Sequence, residues 1–183
     1  MGASGSGKTS MRSLIFSNHP ASLTSRLGAT IDVEQNHVRF LGDLILNLWD
    51  CGGQDSFMDS YLTTQRSTIF THVGVLIYVF DIDTQVHDEM RFYSDCIQGL
   101  KQFSPEAAVF LLVHKMDLVR ENRQGVFEKK EKELRKATDA AVTVFGTSIY
   151  DESLYKVNIC SPSLGYHACS RNDDRPGRAS YTR

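Results

Sequence analysis

An octapeptide near the start of the sequence restricts the folds open to this chain more than any other stretch. Residues 2–9, GASGSGKT, fit the pattern G-x-x-x-x-G-K-[ST]. In such a loop the backbone N–H groups surround phosphate oxygens, and the following helix directs the positive end of its dipole at them. The alternative is a flexible segment rich in Gly and Ser. Because only Met1 precedes the loop, we expect the buried strand that normally leads into it to be missing.

The composition is typical of one globular domain. The chain has 183 residues, of which 41% are hydrophobic, and a formal net charge of −2. It can therefore build a core, and it has no general attraction to nucleic acid or anionic membranes. No apolar run is long enough to cross a bilayer. We expect a cytoplasmic protein with no nucleic-acid partner and no direct membrane insertion.

The cysteines and the N-terminus suggest no further chemistry. The cysteines, none of which forms a C-x-x-C pair, are Cys51, Cys96, Cys160 and Cys169. Their scatter indicates reduced thiols, and their spacing from His167 disfavours a zinc site. Residues 1–6 match an N-myristoylation pattern, but phosphate binding explains the same residues.

Hydrophobic periodicity predicts an α/β fold with a mostly parallel twisted sheet and helices on both faces. Helices are predicted over 8–16, 86–103 and 122–138, with 55–70 partly helical. Strands are predicted over 33–40, 44–49, 73–80, 107–113 and 141–145. The first two strands should form an antiparallel hairpin with a turn at 41–43, and 21–31 should be a loop. Residues 157–183 lack periodicity and should form an irregular tail after a domain over 1–156.

Several polar residues are expected to handle a phosphate and its metal. Lys8 should reach the β- and γ-phosphates, and the hydroxyls of Thr9 and Thr30 should ligate Mg²⁺. Asp50, at the end of an apolar strand, should support the same ion, although a helix-capping role is the alternative. Two glycines follow, and Gln54 after them is a candidate to orient the attacking water, or else is simply solvated.

A second cluster follows a buried strand, and ligand sites in α/β folds lie just past the C-terminal ends of strands. In the run His114-Lys115-Met116-Asp117 the carboxylate of Asp117 can accept two N–H groups at once. The Watson–Crick edge of guanine offers such a pair, and adenine does not. The aliphatic stem of Lys115 can cover the face of the base. This pair of residues argues against an ATP-using enzyme.

Together these motifs resemble the Ras-like guanine nucleotide-binding switch proteins, and more narrowly the Rag GTPases of the A/B type. The resemblance covers residues 2–156, and His114 in place of the usual Asn is itself a Rag trait. The stretches that carry it are 28–34, 37–42, 46–55, 76–81, 112–118, 147–149 and 151–156.

The resemblance implies slow hydrolysis of GTP to GDP with Mg²⁺, and pairing with a C/D-type Rag partner. It also implies a place on the lysosomal or vacuolar surface, reached through a scaffold complex, and amino-acid signalling to the target-of-rapamycin kinase complex. By resemblance, the phosphate-site residues are Ser4, Gly5, Gly7, Lys8, Thr9, Ser10, Thr24, Thr30 and Gly53. The base-site residues are His114, Asp117 and Ile149.

Two departures from the Rag pattern qualify these expectations. The family has a strand before the phosphate loop, and it continues beyond Lys156 with a second domain that 157–183 do not resemble. We therefore expect a Rag-type GTPase domain that is truncated at both ends. The alternative is a non-catalytic fragment that binds partners without nucleotide.

Overall fold

Helices and strands alternate along the chain, as its periodicity predicts. We describe residues 1–40, 44–138 and 142–156 from a computed structural model. The strands are β1 (Val33–Phe40), β2 (Leu44–Cys51), β3 (Val75–Asp81), β4 (Ala108–His114) and β5 (Thr143–Gly146). The helices are α1 (Lys8–Ser17), α2 (Asp55–Leu62), α3 (Arg66–Phe70), α4 (Val86–Phe103) and α5 (Arg123–Ala137). Short 3-10 helices cover Ala21–Arg26, Met116–Leu118 and Glu152–Lys156.

The strands pair in two groups. β3, β4 and β5 form a parallel sheet in that order, with Tyr78 opposite Leu111 and Leu111 opposite Val144. β1 and β2 form the predicted antiparallel hairpin, with Val33 opposite Cys51. The parallel strands are continuous apolar runs because both of their faces are covered. The α/β fold class is thereby confirmed.

Helices cover both faces of the parallel sheet, because successive side chains of a strand point to opposite sides. On one face Tyr78, Phe80 and Leu111 pack with side chains of α4 and α5, including Tyr93 and Leu134. On the other face the apolar residues come from β3, β4, α1 and the last 3-10 helix. They are Val79, Leu112, Met11, Leu14 and Leu154. The sheet therefore lies between two apolar layers.

Several boundaries differ from those that the sequence predicts. Residues 21–26 form a 3-10 helix rather than a loop, because Pro20 sets its start and the Thr24 hydroxyl donates to the carbonyl of Ala21. β2 continues to Cys51, since Asp50 and Cys51 still pair with β1. The 55–70 segment divides into α2 and α3. The predicted turn at 41–43, residue 141 and the tail over 157–183 lie outside the described residues.

Met1 lies beside β3. Its main-chain nitrogen donates to the Ile77 carbonyl at 2.8 Å, and its carbonyl accepts the Val79 N–H at 2.9 Å. No strand precedes the phosphate loop in the described residues, and the described strands of the hairpin are not paired with the parallel sheet. None of the helices in these ranges combines the length and apolar character needed to span a bilayer.

Candidate nucleotide-binding site

Three segments that are distant in sequence line one cavity of about 270 Å³. They are the phosphate loop with the start of α1, residues 27–30, and the segment that leaves β2 at 51–54. The predicted site residues in its wall are Ser4, Gly5, Gly7, Lys8, Thr9, Ser10, Thr30, Gly53 and Gln54. Thr24 is absent from the wall, because it is buried with its hydroxyl bonded to Ala21.

The phosphate loop has the backbone that its glycines predict. Gly5 and Gly7 have φ angles of 77° and 94°, a region that side chains disfavour, and α1 begins directly after Gly7. Lys8 Nζ donates to the carbonyls of Gly2 and Ala3 at 2.8 and 2.7 Å. Burial lowers the pKa of Lys8, and nearby Asp50 opposes this change. The loop thus holds a partly desolvated ammonium next to the cavity.

The structure brings two of the predicted metal ligands together in the cavity wall, whereas Asp50 is not part of that wall. The hydroxyl oxygens of Thr9 and Thr30 lie 2.6 Å apart, although 21 positions separate the residues. Asp50 is buried, and its Oδ2 makes no hydrogen bond. Hydroxyl and carboxylate oxygens are the hard ligands that Mg²⁺ prefers, and it usually takes only one or two carboxylates with water and phosphate. The side chains of Thr9, Thr30 and Asp50 therefore suit this ion.

The segment after β2 contacts the phosphate loop without spare room. A Cβ at Gly53 would lie 2.5 Å from Ala3 C and from Ser4 N, and a Cβ at Gly52 would lie 2.9 Å from the Thr30 carbonyl oxygen. Gln54 follows as the N-cap residue of α2. Gln54 therefore lies in the cavity wall, beside the loop that would hold the phosphates.

The predicted base-site cluster lies outside the cavity wall and contacts the phosphate loop at Gly7. The imidazole of His114 is 1% exposed, and its Nδ1 is 2.9 Å from the hydroxyl of Thr147. A Cβ at Gly7 would lie 2.6 Å from His114 Cδ2, so the ring packs directly against the loop. Burial lowers the pKa of His114 to about 4, so the ring is neutral at neutral pH. His114 supports the loop from behind.

Lys115 and Asp117 are held by separate partners. Lys115 has a left-handed backbone with φ of 62°, and its ammonium lies 2.5 Å from Asp81 Oδ2. The Ser148 hydroxyl donates to Asp117 Oδ1 at 2.5 Å. Ile149, the third predicted base-site residue, is half-buried and packs in the apolar layer below the sheet. The Ser148 hydroxyl thus orients the Asp117 carboxylate.

Three further residues near the site have contacts that the sequence alone does not predict. The Tyr61 hydroxyl donates to the Asp32 carbonyl at 2.7 Å and so anchors the segment after Thr30. Glu89, on α4, is 4% exposed, and neither of its carboxylate oxygens makes a hydrogen bond of good geometry. Burial raises the pKa of Glu89, and the amide of Ala3 opposes this rise. Arg12 contacts Asp50 through an ion pair. Only the packing of distant segments reveals these contacts.

This fold and this cavity define a P-loop nucleotide-binding domain. The comparisons with known proteins narrow that class. Residues 1–158 match the family described as the Gtr1/RagA G protein conserved region. The chain is 58% identical over 159 residues to Ras-related GTP-binding protein A of Dictyostelium discoideum, covering 85% of this chain and 53% of that protein. It is 53% identical over 159 residues to GTP-binding protein gtr1 of Schizosaccharomyces pombe, covering 85% of this chain and 52% of that protein.

The chain belongs to the Gtr1/RagA family of G proteins, as a Rag protein of the A/B type. It spans about half the length of the curated relatives that it matches. Its fold is also similar to that of a bacterial selenocysteine-specific elongation factor, EF-Sec. That similarity has a TM-score of 0.58 at 18% identity and covers 81% of this chain and 25% of the other. The resemblance that the motifs carry is confirmed.

Proposed function

We propose that this chain is a guanine nucleotide-binding switch of Rag A/B type that hydrolyses GTP to GDP and phosphate, slowly unless an activating protein assists. The observation that carries the proposal is the single cavity formed by the phosphate loop, Thr30 and the segment with Gln54. Each of these segments holds a residue that a γ-phosphate would contact. The cavity would therefore distinguish GTP from GDP.

The phosphates would be held by groups that are already close together. Lys8 Nζ, which bonds the carbonyls of Gly2 and Ala3, would exchange those partners for phosphate oxygens. The Thr9 and Thr30 hydroxyls would ligate Mg²⁺, with Asp50 acting on the ion directly or through water. When bound, Mg²⁺ supplies positive charge against the β- and γ-phosphate oxygens. Thr30 would complete the ligand shell of the ion only with a γ-phosphate present, which makes its segment sensitive to hydrolysis.

Hydrolysis would depend mainly on position and charge. Gln54 would orient a water in line with the γ-phosphate, and the Gly53 N–H would donate to that phosphate. No arginine is among the described residues that line the cavity. Because such an arginine accelerates this reaction strongly, the intrinsic rate should be slow.

The base would be read next to the phosphate loop. The Asp117 carboxylate, oriented by Ser148, would accept two N–H groups from guanine. The stem of Lys115 would cover one face of the ring, while His114 and Ile149 would support the surrounding backbone. This arrangement favours guanine over adenine.

The wider role follows from family membership. We expect a heterodimer with a C/D-type Rag, attachment to the lysosomal or vacuolar membrane through a scaffold complex, and amino-acid signalling to the target-of-rapamycin kinase complex. The protein itself would be cytoplasmic, without a nucleic-acid partner or direct membrane insertion.

Titration of the purified chain with a fluorescent GTP analogue and Mg²⁺ tests the proposal. We expect saturable binding that unlabelled GTP or GDP displaces and that ATP does not. Displacement by ATP would instead indicate an adenine-nucleotide enzyme. An absence of saturable binding would contradict the proposal and support a fragment that binds partners without nucleotide.

A further inference from the structure

Two acidic side chains face each other across the hairpin. Glu34 of β1 and Asp50 of β2 are directly opposite in the antiparallel register, so both side chains lie on the same face. Like charges in this arrangement destabilise a hairpin. Asp50 is also the carboxylate expected at the metal, so its position bears on the proposed function.

Arg12 of α1 lies against both carboxylates. Its Nη2 is 2.9 Å from Glu34 Oε2, and its Nε is 3.1 Å from Asp50 Oδ2. The side chain of Asp50 is 5% exposed and that of Glu34 is 46% exposed, so the contact to Asp50 is the more desolvated one. Neither Arg12 Nε nor Asp50 Oδ2 makes a hydrogen bond. The contact is thus an ion pair, in which the Asp50 oxygen is buried.

The location of Arg12 connects the hairpin to the phosphate loop. Arg12 is three positions after Thr9 on α1, close to one helical turn. The described strands of the hairpin make no backbone ladder with β3. This ion pair, together with the packing of Gly53 against the phosphate loop, therefore helps to fix where Asp50 lies relative to Thr9.

We propose that Arg12 is a positioning residue that holds Asp50 at the metal-binding edge of the site, with Glu34 as the second, balancing carboxylate. This inference rests on the proposed function for its effect on Mg²⁺, but not for the contact itself. Arg12 supplies two differently directed nitrogens from one rigid group, so it bridges two carboxylates in a fixed geometry. Lysine has the same charge on a flexible stem and lacks this geometry.

The test compares variants of the full chain loaded with N-methylanthraniloyl-GDP. The rate of nucleotide release is measured at increasing concentrations of free Mg²⁺, which slows the release. The Mg²⁺ concentration at which this slowing is half complete, the midpoint, reports the affinity for the metal. We expect Arg12→Lys to raise the midpoint about 10-fold, the scale typical of residues that orient a metal ligand. The release rate in excess EDTA should not change. Because Arg12→Lys conserves charge, a shift would reflect lost positioning rather than altered electrostatics.

Two further variants serve as controls. Glu34→Gln removes only the exposed partner of Arg12, so it should move the midpoint less than about threefold. In Asp50→Asn, the additional change Arg12→Lys should have no further effect, because Arg12 acts through Asp50. A wild-type midpoint in Arg12→Lys, or additive effects in the double variant, would overturn the inference.

Hydrogen exchange separates failure of this inference from failure of the proposed function. Absence of GDP binding or of any Mg²⁺ dependence in the wild-type chain would refute the proposed function. The contact is then tested without nucleotide by comparing Arg12→Gln with the wild type. We expect faster exchange of amides in β1 and β2, with unchanged exchange in β4. Unchanged exchange in the hairpin would show that Arg12 does not hold it.

Discussion

The parallel sheet and the β1–β2 hairpin are held in the molecule by different kinds of contact. β3, β4 and β5 share backbone ladders, and Leu111 and Val113 at their centre are fully buried. In the hairpin, Asp50 and Cys51 are the only buried side chains among those described. The sheet therefore fixes the predicted base-site residues that follow β4 through backbone and core. The hairpin presents Asp50, and the segment leading to Gln54, through a few side-chain contacts.

The difference suggests that the predicted base-site residues and the predicted phosphate-site residues need different kinds of structural support. Base recognition does not change between GTP and GDP, so a rigid support suits it. Contacts to the γ-phosphate must be made and lost, and a weakly attached hairpin suits that need, because low local stability accompanies moving elements. Four predictions, ordered by expected free-energy change, test this comparison.

Core substitutions should separate the two regions most strongly. Leu111→Ala in β4 should lower the free energy of unfolding by about 2–5 kcal/mol, because it leaves a cavity in a fully buried site. Ile45→Ala in β2, where the side chain is 61% exposed, should cost less than about 0.5 kcal/mol. Urea unfolding of both variants measures the two values. Equal losses would remove the distinction between sheet and hairpin.

Substitution of Asp117, the predicted base-reading residue, should alter the selectivity between guanine and xanthine nucleotides. Asp117→Asn should weaken guanine nucleotide binding by about 3 kcal/mol, because two charge-assisted hydrogen bonds are lost or replaced. Xanthine nucleotides should then compete better than guanine nucleotides, since an amide N–H can donate to the oxygen of xanthine. Competition titrations with both nucleotides measure the change. Retained guanine preference would exclude Asp117 from base reading.

The free energy of unfolding should depend on pH through His114, one of the predicted base-site residues. The native pKa of about 4 lies below the ordinary histidine value of 6.5, so below pH 6.5 the unfolded state binds a proton that the native state does not. Stability should be complete above pH 6.5 and fall as the pH drops toward 4, by about 2 kcal/mol at pH 5. Denaturant unfolding at pH 7 and pH 5 measures this loss. His114→Asn should remove most of it, and an identical pH dependence in the variant would contradict the assignment.

The smallest effect should come from Gln54, the residue after β2 that is predicted to orient the attacking water. Gln54→Leu should slow GTP hydrolysis at least about tenfold, equivalent to about 1.4 kcal/mol in the barrier, while GTP affinity stays near the wild-type value. Single-turnover hydrolysis and a binding titration provide the two readouts. Unchanged turnover would remove Gln54 from the mechanism.

The sequence predicts the strands of both the sheet and the hairpin closely, with β1 correct to the residue and β2 two residues short at its end. Helix 86–103 is correct to the residue, and the buried strands β3 and β4 differ by one or two positions, because burial on both faces leaves a continuous apolar run. The 3-10 helix at Ala21–Arg26 is missed because a polar segment with one turn of structure has no periodicity. Residues 157–183 lie outside the described residues, so the division at 156 stays a prediction.

In the site, too, the sequence predicts local features and misses those that depend on contacts between distant segments. Motifs at fixed spacing predict the cavity wall, since Lys8, Thr9 and Gln54 are defined by their neighbours in sequence. Arg12 and Tyr61 act across the fold, and their partners become visible only once the register of β1 and β2 is known. The hydroxyl of Thr24 is used within its own 3-10 helix, which no resemblance predicts. The roles of the individual site residues stay predictions until they are tested.

The packing at Gly53 leaves no room for a side chain. Because a Cβ there would lie 2.5 Å from Ala3 C and Ser4 N, the main chains of the two segments meet with no side chain between them. Any side chain at this position would push the phosphate loop away from the start of α2, so the spacing between these two segments depends on residue 53 being a glycine.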